Sequence, residues 1–283
     1  MRQINGEKIE LYRQHLIEEE KSKATIEKYL RDIRFFVDWN ANKGIDKTVV
    51  LSYKSHLLEH YAVSSVNSIL SSLNSFFTYM EWFELKIKVI KVQNQIFSSN
   101  EKELTKKEYE RLLKAAQDKK NERLFLLMQT ICSCGIRVSE LRYITVESLR
   151  NGQSNIACKG KRRKVFLPNA LCKILKKYAQ KQKIKNGPIF ITKKGKPLDR
   201  SNIWSNMKKL CGAAKVSSEK VFPHNLRHLF ARTYYQFQKD IVRLADILGH
   251  SNINTTRIYT KENGEIHRKQ IQMLGLIQYQ IIT

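Results

Sequence analysis

The chain has 283 residues, 42% hydrophobic and 28% charged, the balance of a folded protein long enough for two domains rather than of a disordered tail. Its 52 Lys and Arg against 26 Asp and Glu give a formal charge of +26, which points to a polyanionic partner and away from a neutral small-molecule substrate. No apolar run approaches the roughly 20 residues that span a bilayer, the start lacks a signal-peptide core, and the five cysteines are scattered without zinc-ligand spacing. The expectation is a cytoplasmic, nucleoid-associated protein with reduced thiols and no membrane contact.

The first ninety-odd residues read as helices. In 25–39, Ile26, Tyr29, Leu30, Ile33, Phe36 and Val37 follow the i, i+3, i+4, i+7 rule with Lys28, Arg31, Asp32 and Arg34 opposite. Ile69, Leu70, Leu73, Phe76, Phe77 and Met80 repeat the pattern, and segments 9–17 and 51–61 supply further helices. The result is a compact domain of four or five helices whose aromatic residues serve as core, while Lys21, Lys23, Lys28, Arg31 and Arg34 are positioned to meet phosphates. Periodicity lapses over 93–103, and Thr105 with Glu108 then forms a capping box that starts a new helix. We place a domain at 1–95, a linker at 96–103 and a second domain at 104–283 with a C-terminal tail.

In the second domain, helices are expected at about 105–118 and 121–133, with a third beginning near Val138. Short strands at 154–158 and 163–167 are joined through Lys159, Gly160, Lys161 and Arg162, where glycine can take a positive φ, and 189–192 is a third strand candidate. From Ser201 onward the pattern is helical, interrupted at Gly212, Pro223 and Gly249. The fold class is mainly α with a small antiparallel β-sheet.

Charge is distributed unevenly between the halves. Residues 1–95 hold 14 basic and 12 acidic residues, whereas 96–283 hold 38 and 14, and no carboxylate occurs between Glu147 and Asp199. In the same half stand Gly135-Ile136-Arg137-Val138-Ser139-Glu140-Leu141, His224-Asn225-Leu226-Arg227-His228, and Leu248-Gly249-His250 with Tyr259 nine residues later. A phosphodiester under attack gains negative charge on its non-bridging oxygens, so its site needs fixed donors aimed there; arginine's planar fork, which does not lose its proton, suits that need. His224 and Arg227, three apart, share a helix face. Gly249, after the apolar face of Ile241, Leu244, Ala245 and Leu248, reads as a helix C-cap that projects His250 from a fixed turn.

These motifs resemble the tyrosine recombinase (phage integrase) family, whose pattern of Arg, hairpin Lys, His-x-x-Arg, His or Trp, and Tyr is matched by Arg137, Lys159, His224, Arg227, His250 and Tyr259. The resemblance is strong over 104–265 and rests on size and pattern alone over 1–95. It implies an N-terminal helical core-binding (SAM-like) domain and a mixed α+β catalytic domain that clamp duplex DNA in a C shape. By the same resemblance Tyr259 attacks the scissile phosphate to leave a 3′-phosphotyrosyl bond and a free 5′-hydroxyl, His224 is the base, and Arg137 and Arg227 stabilise the phosphorane. His250 donates a further hydrogen bond, Lys159 (or Lys161 or Lys164) protonates the departing oxygen, and Glu140 and His228 support the cations.

Such chemistry needs no cofactor and no metal. The residues agree: Asn155 stands where a phosphate-binding loop ending at Gly160 needs glycine, and the carboxylates of this half form no Asp-x-Asp pair. The implied partners are double-stranded DNA with paired short inverted-repeat sites, a homotetramer on that DNA, and a related recombinase as an optional second subunit. The apolar tail after Tyr259 docks either on its own domain or in trans. Two alternatives are a type IB topoisomerase-like nicking and resealing enzyme and a catalytically silent DNA-binding protein.

Overall fold

The computed structural model describes residues 2–91, 102–158, 161–192, 194–259 and 272–274. Much of the expected linker, Lys159 with Gly160, and nearly all of the apolar tail lie outside the described residues. The chain forms two compact units, 1–94 and 95–283.

The N-terminal unit contains four α-helices among the described residues: α1 (Gly6–Glu18), α2 (Lys23–Trp39), α3 (Lys47–His60) and α4 (Val63–Tyr79). Asn5, Ser22 and Asp46 cap α1, α2 and α3 by accepting from backbone N–H groups of the first turn. The two anticipated stripes meet in the core, where Ile33, Phe36, Leu70, Leu73, Phe76 and Phe77 are fully buried with Tyr12 and Leu16 of α1. One expected cation is committed internally. The Lys28 ammonium donates to Asp32 Oδ2 at 2.6 Å, to the Ser72 hydroxyl at 2.8 Å and to the Ser68 carbonyl at 2.8 Å, and Ser72 donates to the same Asp32 oxygen.

The C-terminal unit is built around α6 (Glu122–Cys134), which packs on α5 (Lys106–Asp118) and, later in the chain, on α8 (Asn169–Lys181), α9 (Arg200–Lys208) and α11 (Pro223–Gln238). The Thr105–Glu108 capping box forms as expected. A 3₁₀ turn (Val138–Tyr143) replaces the helix expected near Val138, because Arg137 is extended and Glu140 reaches back to its backbone N–H at 2.7 Å. The short α7 (Val146–Asn151) leads into an antiparallel pair, β1 (Gln153–Cys158) and β2 (Lys161–Phe166), in register from Gln153 opposite Phe166 to Cys158 opposite Lys161. Lys161 and Arg162 are therefore strand residues rather than part of the connection. Two further helices are α10 (Cys211–Ala214) and α12 (Ile241–Leu248).

Two further expectations are corrected. Residues 189–192 form no strand: Ile189 bonds the Ile144 carbonyl, and isolated bridges link Thr145 with Pro188 and Ile191 with Pro197. Gly212 lies inside α10, and the chain turns instead at Lys215, whose φ is 50°. Helix α8 adds an element beyond those expected, its lysines lying opposite an apolar face of Leu171, Cys172, Leu175, Tyr178 and Ala179. Among the described residues no helix is long and apolar enough to cross a membrane, and Cys132, Cys134, Cys172 and Cys211 are free thiols.

Candidate active site

The site begins where α6 ends. Gly135 terminates that helix with φ 62°, and a β-carbon there would stand 2.3 Å from the Phe230 ring, so glycine is required both by the backbone and by the approach of α11. The left-handed turn exposes the Gly135 carbonyl and sends Arg137 onward. Helix α12 ends the same way at Gly249, φ 66°. Two helix C-termini, each the negative end of its dipole, thus converge.

Arg227 joins them. It is 1% exposed, and donates to the Gly135 carbonyl at 2.6 Å, to the Leu248 carbonyl at 2.7 Å and to His250 Nε2 at 3.0 Å. Burial first, then the charge of Arg137, lowers its pKa to about 10, so it stays cationic at neutral pH. Its Nε is buried without a hydrogen-bond partner. A buried donor left unpaired costs stability, and marks a place where an acceptor from outside would be favoured.

The sole carboxylate among these groups is Glu140, also 1% exposed. Its Oε1 accepts from Arg137 at 3.1 Å, its Oε2 accepts from Arg163 at 2.7 Å, and Arg227 lies 3.9 Å from Oε2. Three guanidinium groups around one carboxylate leave an excess of positive charge. The compensation available inside the protein is partial: carbonyl dipoles of the two helix ends, which favour but do not neutralise cations.

An open cleft of about 570 Å³ runs along this cluster; its charged and aromatic lining includes Arg137, His224, Arg227, Arg200, Trp204 and Lys208, with Glu219 as the one carboxylate. His224 and Arg227 share a face of α11 and both border it. Enclosure by the cleft walls, followed by the charges of Arg227, Arg137 and Arg200, holds the His224 pKa below its ordinary value. That shift favours the neutral imidazole.

His250 and Tyr259 are reached through Arg227. Because a guanidinium only donates, His250 Nε2 is an acceptor, which assigns the proton to Nδ1, 2.9 Å from the Thr256 hydroxyl. The ring thus holds Arg227 and directs no N–H toward the cleft. Burial, then Arg227, pushes its pKa to about 4. Tyr259 ends a 3₁₀ turn (Arg257–Tyr259) and is 4% exposed, packed with Ala231, Leu244 and Leu248. Its ring stands edge-on to His228 at 4.8 Å between centroids and stacks with His250 at 6.2 Å. Burial raises the phenol pKa, while the Arg227 and Arg137 charges pull it down.

Residues 102–265 match the family model described as "Phage integrase family". The chain belongs to the phage integrase family. Residues 9–83 match a second model of the same group, the phage integrase N-terminal SAM-like domain. Among curated relatives, the tyrosine recombinase XerA of Thermococcus kodakarensis is 28% identical over 284 residues, covering 96% of this chain and 97% of the relative. Two solved structures share the fold: the XerH site-specific recombinase bound to its difH substrate before cleavage (22% identity, TM-score 0.69, 93% of this chain and 84% of that one) and a lambda integrase tetramer bound to a Holliday junction (18%, 0.69, 89% and 76%).

Of the six residues singled out from the phage integrase pattern, Arg137, His224, Arg227, His250 and Tyr259 gather in one contiguous cluster; Lys159 lies outside the described residues. Sequence reading missed Arg163, Arg200 and Trp204. Arg163 stands in a basic run, where only its strand phase with Val165 sets it apart. Trp204 is recognised only in the structure, where it faces out of α9, 50% exposed, with the Lys208 ammonium 5.4 Å from its ring centroid.

Proposed function

We propose that Tyr259 is the nucleophile with which this tyrosine recombinase cleaves and rejoins DNA strands at specific sites. Its oxygen attacks the scissile phosphorus, the phenolic proton passes to neutral His224, and the 5′-oxygen leaves with a proton from Lys159. A 3′-phosphotyrosyl bond results, and attack on it by another 5′-hydroxyl reverses the chemistry onto a new strand. The observation that carries this reading is the placement of Arg227, which borders the cleft with Arg137 and His224 and also reaches His250 and the surroundings of Tyr259. Its unpaired Nε and the excess of guanidinium over carboxylate suit the two charges that a phosphorane adds to the site.

His250 Nε2 accepts from Arg227 here, so His250 orients that guanidinium; donation to the phosphate requires the other tautomer, with the proton on Nε2. The substrate is duplex DNA with paired short sites, the N-terminal unit serves as the core-binding domain, and the working assembly is a homotetramer, as the lambda integrase tetramer on a Holliday junction suggests. The test is covalent trapping. Nicked duplexes tiled from the neighbouring genome, incubated without metal, should give a denaturant-resistant protein–DNA adduct that Tyr259→Phe abolishes. Tight binding without an adduct on any fragment would instead favour a silent DNA-binding protein.

A further inference from the structure

The basic run of 159–164 reads as a DNA-facing patch, yet its members divide. Arg162 and Lys164 are exposed, whereas the Arg163 side chain is 13% exposed and turned inward. Its partner across the sheet is Ile156, 2% exposed, and Val165, two residues on and on the same face, is 4% exposed. A guanidinium in that position needs built partners. One terminal nitrogen donates to Glu140 Oε2 at 2.7 Å and the other to the Ile247 carbonyl at the end of α12. The stem crosses Gly249 so closely that a β-carbon there would stand 2.5 Å from Arg163 Cδ and 2.7 Å from Nε. Gly249 therefore supplies both the turn before His250 and the gap through which Arg163 passes.

The consequence lies in how Glu140 is shared. A carboxylate flanked by two arginines alone would settle between them and offset the charge that a phosphate requires. With Arg163 on Oε2 at 2.7 Å, Arg227 stands off at 3.9 Å and remains directed to the helix carbonyls and the cleft. We propose that Arg163 is a positioning residue for strand cleavage: it holds the Glu140 carboxylate and the end of α12 so that Arg137 and Arg227 keep their charge and donors for the non-bridging oxygens of the scissile phosphate. This rests on the phosphate-binding role given above to Arg137 and Arg227.

The experiment compares single-turnover cleavage of three nicked duplexes: an ordinary phosphodiester, a methylphosphonate at the scissile position, which lacks the anionic oxygen, and a 5′-bridging phosphorothiolate, whose sulfur leaves without needing a proton. Arg163→Met should cleave the phosphodiester roughly 10–100-fold more slowly, by analogy with outer partners that orient metal ligands. The defect should shrink at least tenfold on the methylphosphonate and persist on the phosphorothiolate. Arg163→Lys, which keeps the charge but not the fork, should be intermediate, and serves if the methionine variant does not fold. Rescue by sulfur instead, an equal defect on all three substrates, or wild-type cleavage of the phosphodiester would each overturn the proposal. Arg137→Ala run alongside separates the two readings: if methylphosphonate fails to rescue it, the phosphate-binding role of Arg137 falls, while the Arg163 result still decides the proposal for Arg163.

Discussion

The two units handle buried charge in opposite ways. In the N-terminal unit Asp32, 4% exposed, is met by the Lys28 ammonium and the Ser72 hydroxyl, and Lys28 is itself satisfied by Asp32, Ser72 and the Ser68 carbonyl. The network is closed. In the C-terminal unit three guanidinium groups share Glu140, Arg227 Nε and His228 Nε2 are buried without partners, and carbonyls at two helix ends supply part of the compensation. That network is open on its positive side. A closed network contributes to folding and leaves nothing to offer a ligand, whereas an open one holds a deficit that an anion can meet.

The largest test of this contrast is salt. If six to ten phosphates are contacted, DNA affinity should fall roughly 10³–10⁵-fold between about 50 and 200 mM salt. Neutralising the exposed Arg162 or Lys164 should lower the slope of log affinity against log salt by about one each. Lys28→Met should leave it unchanged, because that cation is already committed. A slope that responds equally to all three would dissolve the distinction between the units.

Next in size is the chemistry. Arg227→Ala removes a buried donor from the charge that develops during attack, and single-turnover cleavage should drop by about 10²–10³-fold, as for other fixed oxyanion donors. A thermal melt run alongside should show a loss as well, since the Gly135 and Leu248 carbonyls lose their partner. The closed network behaves differently. Lys28→Met leaves Asp32 buried with fewer partners and should destabilise the chain by about 1–3 kcal/mol in urea titration, with cleavage at saturating DNA unaffected.

Acid should act on the open network. Burial foremost, then neighbouring positive groups, pushes His228 and His250 to about 4 against an ordinary value of 6.5. The unfolded chain takes up protons as pH falls through 6.5 that the folded unit refuses until about 4. The stability contributed by their neutral forms is therefore complete above 6.5 and lost progressively down to 4. Urea midpoints measured across that window should decline, and His228→Gln should flatten the decline. A midpoint that rises on acidification would contradict the assignment of both rings as neutral.

Much of this was legible in the chain because the relevant physics is local. The stripes of α2 and α4, the Thr105 capping box and the C-cap at Gly249 depend on residues three or four apart, and the structure reproduces them. His224 and Arg227 are legible for the same reason. What escaped depends on contacts between distant segments. Arg163 meets Glu140 and Ile247, 23 and 84 residues away, partners that its strand phase with Val165 does not reveal. Helix α8 is the exception: Leu171, Cys172, Leu175, Tyr178 and Ala179 lie on one face at helical spacing opposite its lysines, so it was legible locally. Residues 189–192 have strand composition but bond to Ile144 and a local turn, so no ladder forms. The His250 tautomer follows only from the approach of Arg227, which no spacing rule encodes.

Tyr259, buried beside Arg227, is proposed as the residue that becomes joined to DNA. The most direct measurement is mass spectrometry of the peptide–nucleotide adduct after trapping on a nicked duplex and digestion of both components. A phosphonucleotide mass on the peptide that contains Tyr259, absent from the Tyr259→Phe protein, is the predicted result. A nucleotide on another tyrosine, such as Tyr234 or Tyr235 of the same cluster, would contradict it.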